Sequence, residues 1–319
     1  MLNKLSWKST VMNLYVIGVL LILVTVFTIV SPVFISWGNV VNILRQAVPS
    51  LLIGCAVTLL MISGHVDLSV GGILGLASVL FGLMLKMGLP YILCIILTLI
   101  FGLGMGAVNG LLVMKLRIVP VIATLATMTL YVGLGKLLSP KGIGLIKGLP
   151  DNTIAFGRSA FLLNLPLSFF VSALVIGLLI MCQKKTILGK YAVAIGGNRT
   201  AAELSGINAK QIGWLLYIIV GAFAALGGIS RTSLLSLGDP TTGAGMEMDA
   251  MIAVVLGGTC YTGGEGSVAR TIGGVLILAC ITSGMVVIGA ESYWQPLVKG
   301  IVLIIAVSIN SLVKEKIEE

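Results

Sequence analysis

Side chains able to do covalent or acid–base chemistry are scarce in this sequence and isolated from one another. His65 is the single histidine, and the 11 carboxylates do not pair at spacings that bring two onto one helix face. No general acid–base pair or metal-ligating cluster emerges, so neither a catalytic residue nor a metal site is expected. Cys55, Cys94, Cys182, Cys260 and Cys280 are scattered, mostly within apolar stretches, with no CxxC and no neighbouring histidine. They read as small buried apolar residues. Glycine clusters raise the question of a nucleotide site. Gly257-Gly-Thr-Cys-Tyr-Thr-Gly-Gly-Glu-Gly-Ser contains no G-x-x-x-x-G-K-[ST], and Ala194-Ile-Gly-Gly-Asn lacks the strand, helix and distal acid of a dinucleotide fingerprint. The chain is therefore expected to bind no cofactor of its own; if ATP drives its activity, another subunit hydrolyses it.

The remaining polar residues read as positional. Asp67, followed by Leu68, Ser69 and Val70, has the pattern of a helix N-cap whose carboxylate accepts free backbone N–H groups, and His65 reads as a solvated or capping residue in the turn before it. In the connection 183–211, Asn198 can cap a short helix through Ala201, Ala202, Glu203 and Leu204, which Gly206 can end. Such an Ala-rich amphipathic helix suits docking into a groove on a partner, the alternative being a solvated loop. Gly102, Gly106 and Gly110 recur every fourth residue, a smooth stripe for helix packing, with a conduit wall as the second reading.

These residues sit among elements sized for a bilayer. Of 319 residues, 58% are apolar and only 10% charged, against roughly 25% charged in soluble domains. Apolar stretches recur at 11–31, 47–64, 70–87, 91–114, 118–138, 161–182, 212–234, 250–261, 268–289 and 294–313. That predicts an all-α polytopic membrane protein of about ten transmembrane helices. The stretch 250–261 is short, so it either extends back through Met246 or enters the membrane partway, and 34–45 reads as interfacial. Lys4 and Lys8 before a long apolar run could mimic a secretory signal, but the run is too long and no A-x-A site follows, so a retained first helix is expected. The net charge of +9 forms no single basic face, so no nucleic-acid partner is expected. With a cytoplasmic N-terminus, Lys115, Arg117, Lys184, Lys185, Lys190, Arg199, Lys210, Lys314 and Lys316 all fall on the cytoplasmic side. Asp239, Glu247, Asp249 and Glu291 then face outside, and the loop 136–158, with Lys136, Lys141, Lys147 and Arg158, is the exception. Arg231, Arg270 and Lys299 lie near enough to span ends to snorkel. A faint repeat links Met61-Ile-Ser-Gly-His-Val-Asp-Leu-Ser-Val-Gly-Gly with Val255-Leu-Gly-Gly-Thr-Cys-Tyr-Thr-Gly-Gly-Glu-Gly-Ser.

Five ordered blocks carry a family resemblance: Asp67-Leu-Ser-Val-Gly, the run from Asn109-Gly-Leu-Leu-Val-Met-Lys to Thr124-Leu-Ala-Thr-Met, Ala194-Ile-Gly-Gly-Asn-Arg-Thr-Ala-Ala-Glu-Leu-Ser-Gly-Ile, Met248-Asp-Ala-Met-Ile-Ala-Val-Val-Leu-Gly-Gly-Thr with Gly263-Gly-Glu-Gly-Ser, and Gln295-Pro-Leu-Val-Lys-Gly. In order and spacing they resemble the ribose-type branch of bacterial sugar ABC importer permeases, within the branched-chain amino acid/ribose transport superfamily. The resemblance covers nearly the whole chain from about Asn39. The departures are His65, where the family usually has Gly, and Met246 and Met248 in a stretch that usually carries Gly-Tyr-Glu-Leu. The resemblance implies a type II importer-like permease forming a single domain over 1–319, in the bacterial inner membrane with both termini cytoplasmic. It further implies a cytoplasmic ABC ATPase using ATP and Mg, a periplasmic or lipoprotein sugar-binding protein, a second permease copy (homodimer or paralogous heterodimer) and membrane lipid as partners. The segment 196–207 becomes the coupling helix, with Gly196, Gly197, Asn198, Ala201, Ala202, Leu204 and Gly206 at the ATPase contact. Asn109, Thr124, Thr127 and Thr129 are candidate path-lining residues, although hydroxyls in membrane helices also bond neighbouring helices. No acid sits mid-span to relay protons, which weighs against the alternative, an ion-coupled secondary carrier for a small polar solute.

Overall fold

The computed structural model describes residues 2–140 and 144–318; Lys141 of the 136–158 loop, and the side chains of Lys4, Lys8, Lys314 and Lys316, lie outside what is described. The described chain is helical: α1 (Leu2–Val30), α2 (Trp37–Ile62), α3 (Val70–Lys86), α4 (Tyr91–Gly110), α5 (Pro120–Leu138), α6 (Asp151–Arg158), α7 (Leu167–Lys185), α8 (Ile187–Gly197), α9 (Arg199–Leu204), α10 (Ala209–Leu235), α11 (Met246–Leu256), α12 (Val268–Val287) and α13 (Trp294–Glu318). Seven stretches are long and apolar enough to cross a bilayer: Met12–Val30, Trp37–Ile62, Tyr91–Lys115, Pro120–Leu138, Leu167–Lys185, Ala209–Leu235 and Val268–Val287. The chain is a multi-pass membrane protein.

Each of the ten apolar stretches contains a helix, yet several boundaries differ from the expectation. Residues 37–45 of the stretch 34–45, expected to be separate from the following span, are the first turns of α2: Ser36 accepts from Asn39 N, and Pro49 is carried inside the 26-residue helix. The short stretch does extend back to Met246, but it stops at Leu256. Eleven residues at about 1.5 Å each give roughly 16 Å, half the hydrocarbon thickness. α7 begins only at Leu167, because Pro166 fits the start of a helix and 161–165 is closed by a tight Leu162–Leu165 turn. α6, inside the 136–158 loop, was not expected.

α2, α3 and α10 make the interior. α10 packs against α2, α3 and α4, while α12 packs against α2, α11 and α1. Their buried side chains form one continuous apolar core that includes Leu52, Leu60, Ile73, Leu74, Leu216 and Tyr217. Exposed Ile, Leu and Val side chains stud α1, α4, α5 and α7. That inside-out distribution follows when lipid rather than water faces the outer helices.

Candidate functional site

At one end of the bundle, α8 and α9 form a compact elbow. Asn198 Oδ1 accepts from Ala201 N at 2.9 Å, and Gly206 ends the short helix at φ +85°. Ala202 is only 5% exposed and packs with Ile195 and Ala209, so it anchors the elbow and is not open to a partner, contrary to expectation. Leu204 is 86% exposed, and Ala201 and Gly197 are also exposed.

The elbow is pressed directly onto two glycine turns. A Cβ on Gly196 would overlap the Ile62 carbonyl oxygen at the end of α2 and the Gly264 nitrogen in the α11–α12 turn. Gly264 N itself donates to Ile62 O at 2.8 Å. Gly263, at φ +90°, lies against Gly64 and Gly196, and Gly264, at φ +82°, against Gly197. Positive φ and backbone-to-backbone approach are both open to glycine alone among these residue types. The two sequence blocks of the faint repeat thus touch each other and the elbow at one point.

Beside that junction, the 63–69 turn carries a buried polar cluster. Asp67 is 1% exposed, and its Oδ1 accepts from Ser69 N at 2.8 Å and Ser69 Oγ at 2.6 Å. Asn109 Nδ2 donates to Asp67 Oδ2 at 3.2 Å and reaches Ser69 Oγ at 2.6 Å. Ser69, not Asp67, holds the N-cap position of α3, and its side chain makes no cap bond. The carboxylate instead ties the turn to α4, because that buried charge needs donors from more than its own turn. Burial pushes the Asp67 carboxyl up, opposed by the hydrogen bonds from Ser69 and Asn109. His65 is 7% exposed rather than solvated, with Nδ1 3.1 Å from Ser63 Oγ and its ring edge-on to Tyr217. Burial lowers its pKa to about 4, with Arg199 of the elbow adding to the effect.

The expected path residues do not converge. Asn109 belongs to the Asp67 cluster, Thr124 and Thr127 bond back to Pro120 O and Thr124 O on their own helix, and exposed Thr129 does the same with Leu125 O. The glycine stripe is filled by protein: Cβ atoms on Gly102, Gly106 and Gly110 would strike Gly221, Tyr217 and Trp214 of α10.

The polar space lies elsewhere. A cavity of about 340 Å³ opens between α2, the end of α10, α11, α12 and α13, with Gln46, Ser50, Arg231, Thr242, Asp249 and Lys299 on its walls. Lys299 Nζ donates to Asp249 Oδ2 at 2.7 Å, and Arg231 Nε to Thr242 Oγ1 at 3.3 Å. Arg231 and Lys299 therefore point into the bundle instead of snorkelling, while Arg270 donates to the Gly257 carbonyl at 3.0 Å. Asn109, Thr124, Thr127 and Thr129 do not line this cavity. The available sequence signal was charge inside apolar stretches, which marks functional positions in membranes more often than snorkelling allows.

Cavity and junction are linked by the same three helices. α2 lines the cavity at Gln46 and Ser50 and meets the elbow at Ile62, about 18 Å further along at 1.5 Å per residue. α11 lines it from Met246 to Ala253 and ends in the glycine turn, from which α12 returns to the cavity at Val275.

Comparison with known proteins finds the pattern of the branched-chain amino acid transport system permease component over residues 39–307. The ribose import permease protein RbsC of Bacillus subtilis is 39% identical over 295 residues, covering 91% of this chain and 90% of its own. RbsC of Escherichia coli strain K12 is 34% identical, covering 92% and 91%. The galactose/methyl galactoside import permease protein MglC of Haemophilus influenzae is 35% identical over 310 residues, covering 92% of each chain. No solved structure matches.

Proposed function

Because this chain belongs to the family of branched-chain amino acid transport system permease components, we propose that it is the membrane-spanning subunit of an ATP-binding cassette importer for a monosaccharide. The relatives named above import ribose or galactose, which favours a sugar over the amino acid of the family's description. A periplasmic or lipoprotein binding protein delivers the sugar, and a separate cytoplasmic ATPase supplies ATP hydrolysis. Residues 1–319 act as one domain in the bacterial inner membrane, with both termini cytoplasmic and a second permease copy, identical or paralogous, alongside. α3, the half-length α11 and α13 join the seven long spans to make ten membrane helices, and the α2–α3 and α11–α12 turns are equivalent halves of a weak repeat.

The observation that carries this reading is the mechanical layout. Ile62, Gly264 and Gly196 form one backbone junction, and the helices leaving it are those that line the polar cavity. An ATPase gripping Ala201 and Leu204 would move α2 and the α11–α12 turn together, opening the cavity to alternate sides by shear of packed helices. The test is uptake into vesicles reconstituted with the cognate ATPase and binding protein. Sugar entry should require ATP, and Leu204→Glu should lower it by roughly ten-fold while leaving insertion unchanged, since Leu204 touches little in its own chain. Uptake that persists without the ATPase and collapses with an ion gradient would sink the proposal.

A further inference from the structure

We infer that the apolar groove between α2, α7 and α12 holds one acyl chain of an anionic phospholipid, whose phosphate pairs with Arg45. This site lies on the wall of the bundle and stands whichever solute the protein moves.

The groove encloses about 280 Å³, between Leu44, Val48 and Leu51 of α2, the 169–180 face of α7, and Leu276 of α12. It exists because α7 turns small residues toward its neighbours. Ser172, Ala173 and Gly177 line it, and a Cβ on Gly177 would meet nothing within 4 Å. Ser172 is the sole polar residue among the described lining residues, and its Oγ donates to Ser168 O of its own helix. The surface offered to an occupant is therefore hydrocarbon. Exposed Val171, Leu174 and Leu178 continue that surface along α7, as on the other helices that face lipid. Length then selects the occupant. Eleven residues from Phe169 to Ile180 span about 16 Å, half of a hydrocarbon layer roughly 30 Å thick, which is the reach of one lipid tail from one leaflet. A second copy of the chain would present a helix about 10–12 Å across, too wide to sink into a slot of this volume.

Charge identifies the headgroup. Arg45 is carried on α2 between Leu44 and Val48 and donates to the carbonyl of Asn164, just ahead of the start of α7. Its guanidinium thus stands at the end of the groove nearer the starts of both helices. Its Nε finds no acceptor, and no carboxylate pairs with it, among the described residues. An arginine keeps its charge and five donors, and a charge beside hydrocarbon is costly without a counter-ion. Measured back from Ile62, where α2 ends, Arg45 lies about 26 Å along the helix. That places it near the far edge of the hydrocarbon layer, where its long side chain reaches the phosphates. A phosphate matches the guanidinium with paired hydrogen bonds. An anionic headgroup, unlike a zwitterionic one, brings no cation of its own to offset that attraction.

The test is lipid binding by the purified full chain in detergent, followed by native mass spectrometry and thermal unfolding. Phosphatidylglycerol should stay bound at about one molecule per chain and raise the unfolding temperature by roughly 3 °C or more, and phosphatidylcholine by less. Gly177→Leu fills the groove where the backbone has open space, and should lower retained phosphatidylglycerol by about five-fold or more with oligomeric state unchanged. Arg45→Gln should abolish the preference for phosphatidylglycerol over phosphatidylcholine, with partial return in Arg45→Lys. Inorganic phosphate alone should not stabilise the protein; stabilisation equal to that by the lipid would leave the acyl chain without a role and overturn the inference. Equal retention of phosphatidylglycerol by Gly177→Leu and the unaltered protein overturns it too, as does an unaltered preference in Arg45→Gln. A dimer that becomes monomeric in Gly177→Leu while keeping its lipid would assign the groove to a second copy instead.

Discussion

Asp67 is a buried carboxylate held by neutral donors, and its value to the fold lies in what would be stranded without it. Asp67→Ala removes the acceptor for Ser69 N and leaves Asn109 Nδ2 with one partner fewer in a site from which water is excluded. A loss of about 1–3 kcal/mol is expected, visible as a lower unfolding temperature of the detergent-solubilised protein; an unchanged temperature would contradict the tie between the 63–69 turn and α4. His65 makes a pH prediction from the same turn. Its folded pKa is depressed to about 4, against 6.5 for the free side chain. Between those values the unfolded chain binds the extra proton and the folded one does not. Stability is then full above about pH 6.5 and declines as the pH falls toward 4. Melting curves taken between pH 7.5 and 4 should show this decline, and His65→Gln should flatten it. Both residues were singled out in the sequence as parts of a turn, but their burial was not legible there, because it is Asn109 and Tyr217, far along the chain, that enclose them.

Helix contacts explain why glycines that look alike differ in consequence. Gly106 meets the Tyr217 carbonyl of α10 so closely that any Cβ must separate the helices, whereas Gly104, two residues earlier, faces open space. Gly106→Ala should destabilise the protein clearly, and Gly104→Ala should leave it unchanged or slightly more stable, since alanine loses less entropy in a helix by about 0.5–1 kcal/mol. Equal melting temperatures for the two variants would argue against the α4–α10 packing. The four-residue spacing made the stripe legible in sequence; its partner was not, because small residues permit close approach without specifying to what. In the elbow, likewise, the cap at Asn198 follows from a local pattern, while the burial of Ala202 depends on Ile195 and Ala209 folding over it.

Across the whole molecule, the proposed transmission from elbow to cavity runs through one point of backbone contact. Gly196→Ala forces Ile62 O and Gly264 N apart, while Gly197→Ala, with nothing within 4 Å, changes the same segment without a clash. Gly196→Ala is expected to lower sugar transported per ATP by roughly ten-fold in reconstituted vesicles and Gly197→Ala to leave it near normal; the same ratio in both would remove the junction from the mechanism. The sequence alone determined that this is a multi-pass helical protein, because span length and the scarcity of charge answer to the thickness and polarity of the bilayer. Its ordered blocks also identified the family. Only the tertiary structure decided where the polar space lies. Gln46, Arg231, Asp249 and Lys299 come from four segments separated in sequence, and they converge where α2, the end of α10, α11 and α13 pack around one cavity. Local pattern governs whether a segment becomes a helix; which charged side chains share a cavity depends on packing among helices that no local pattern encodes.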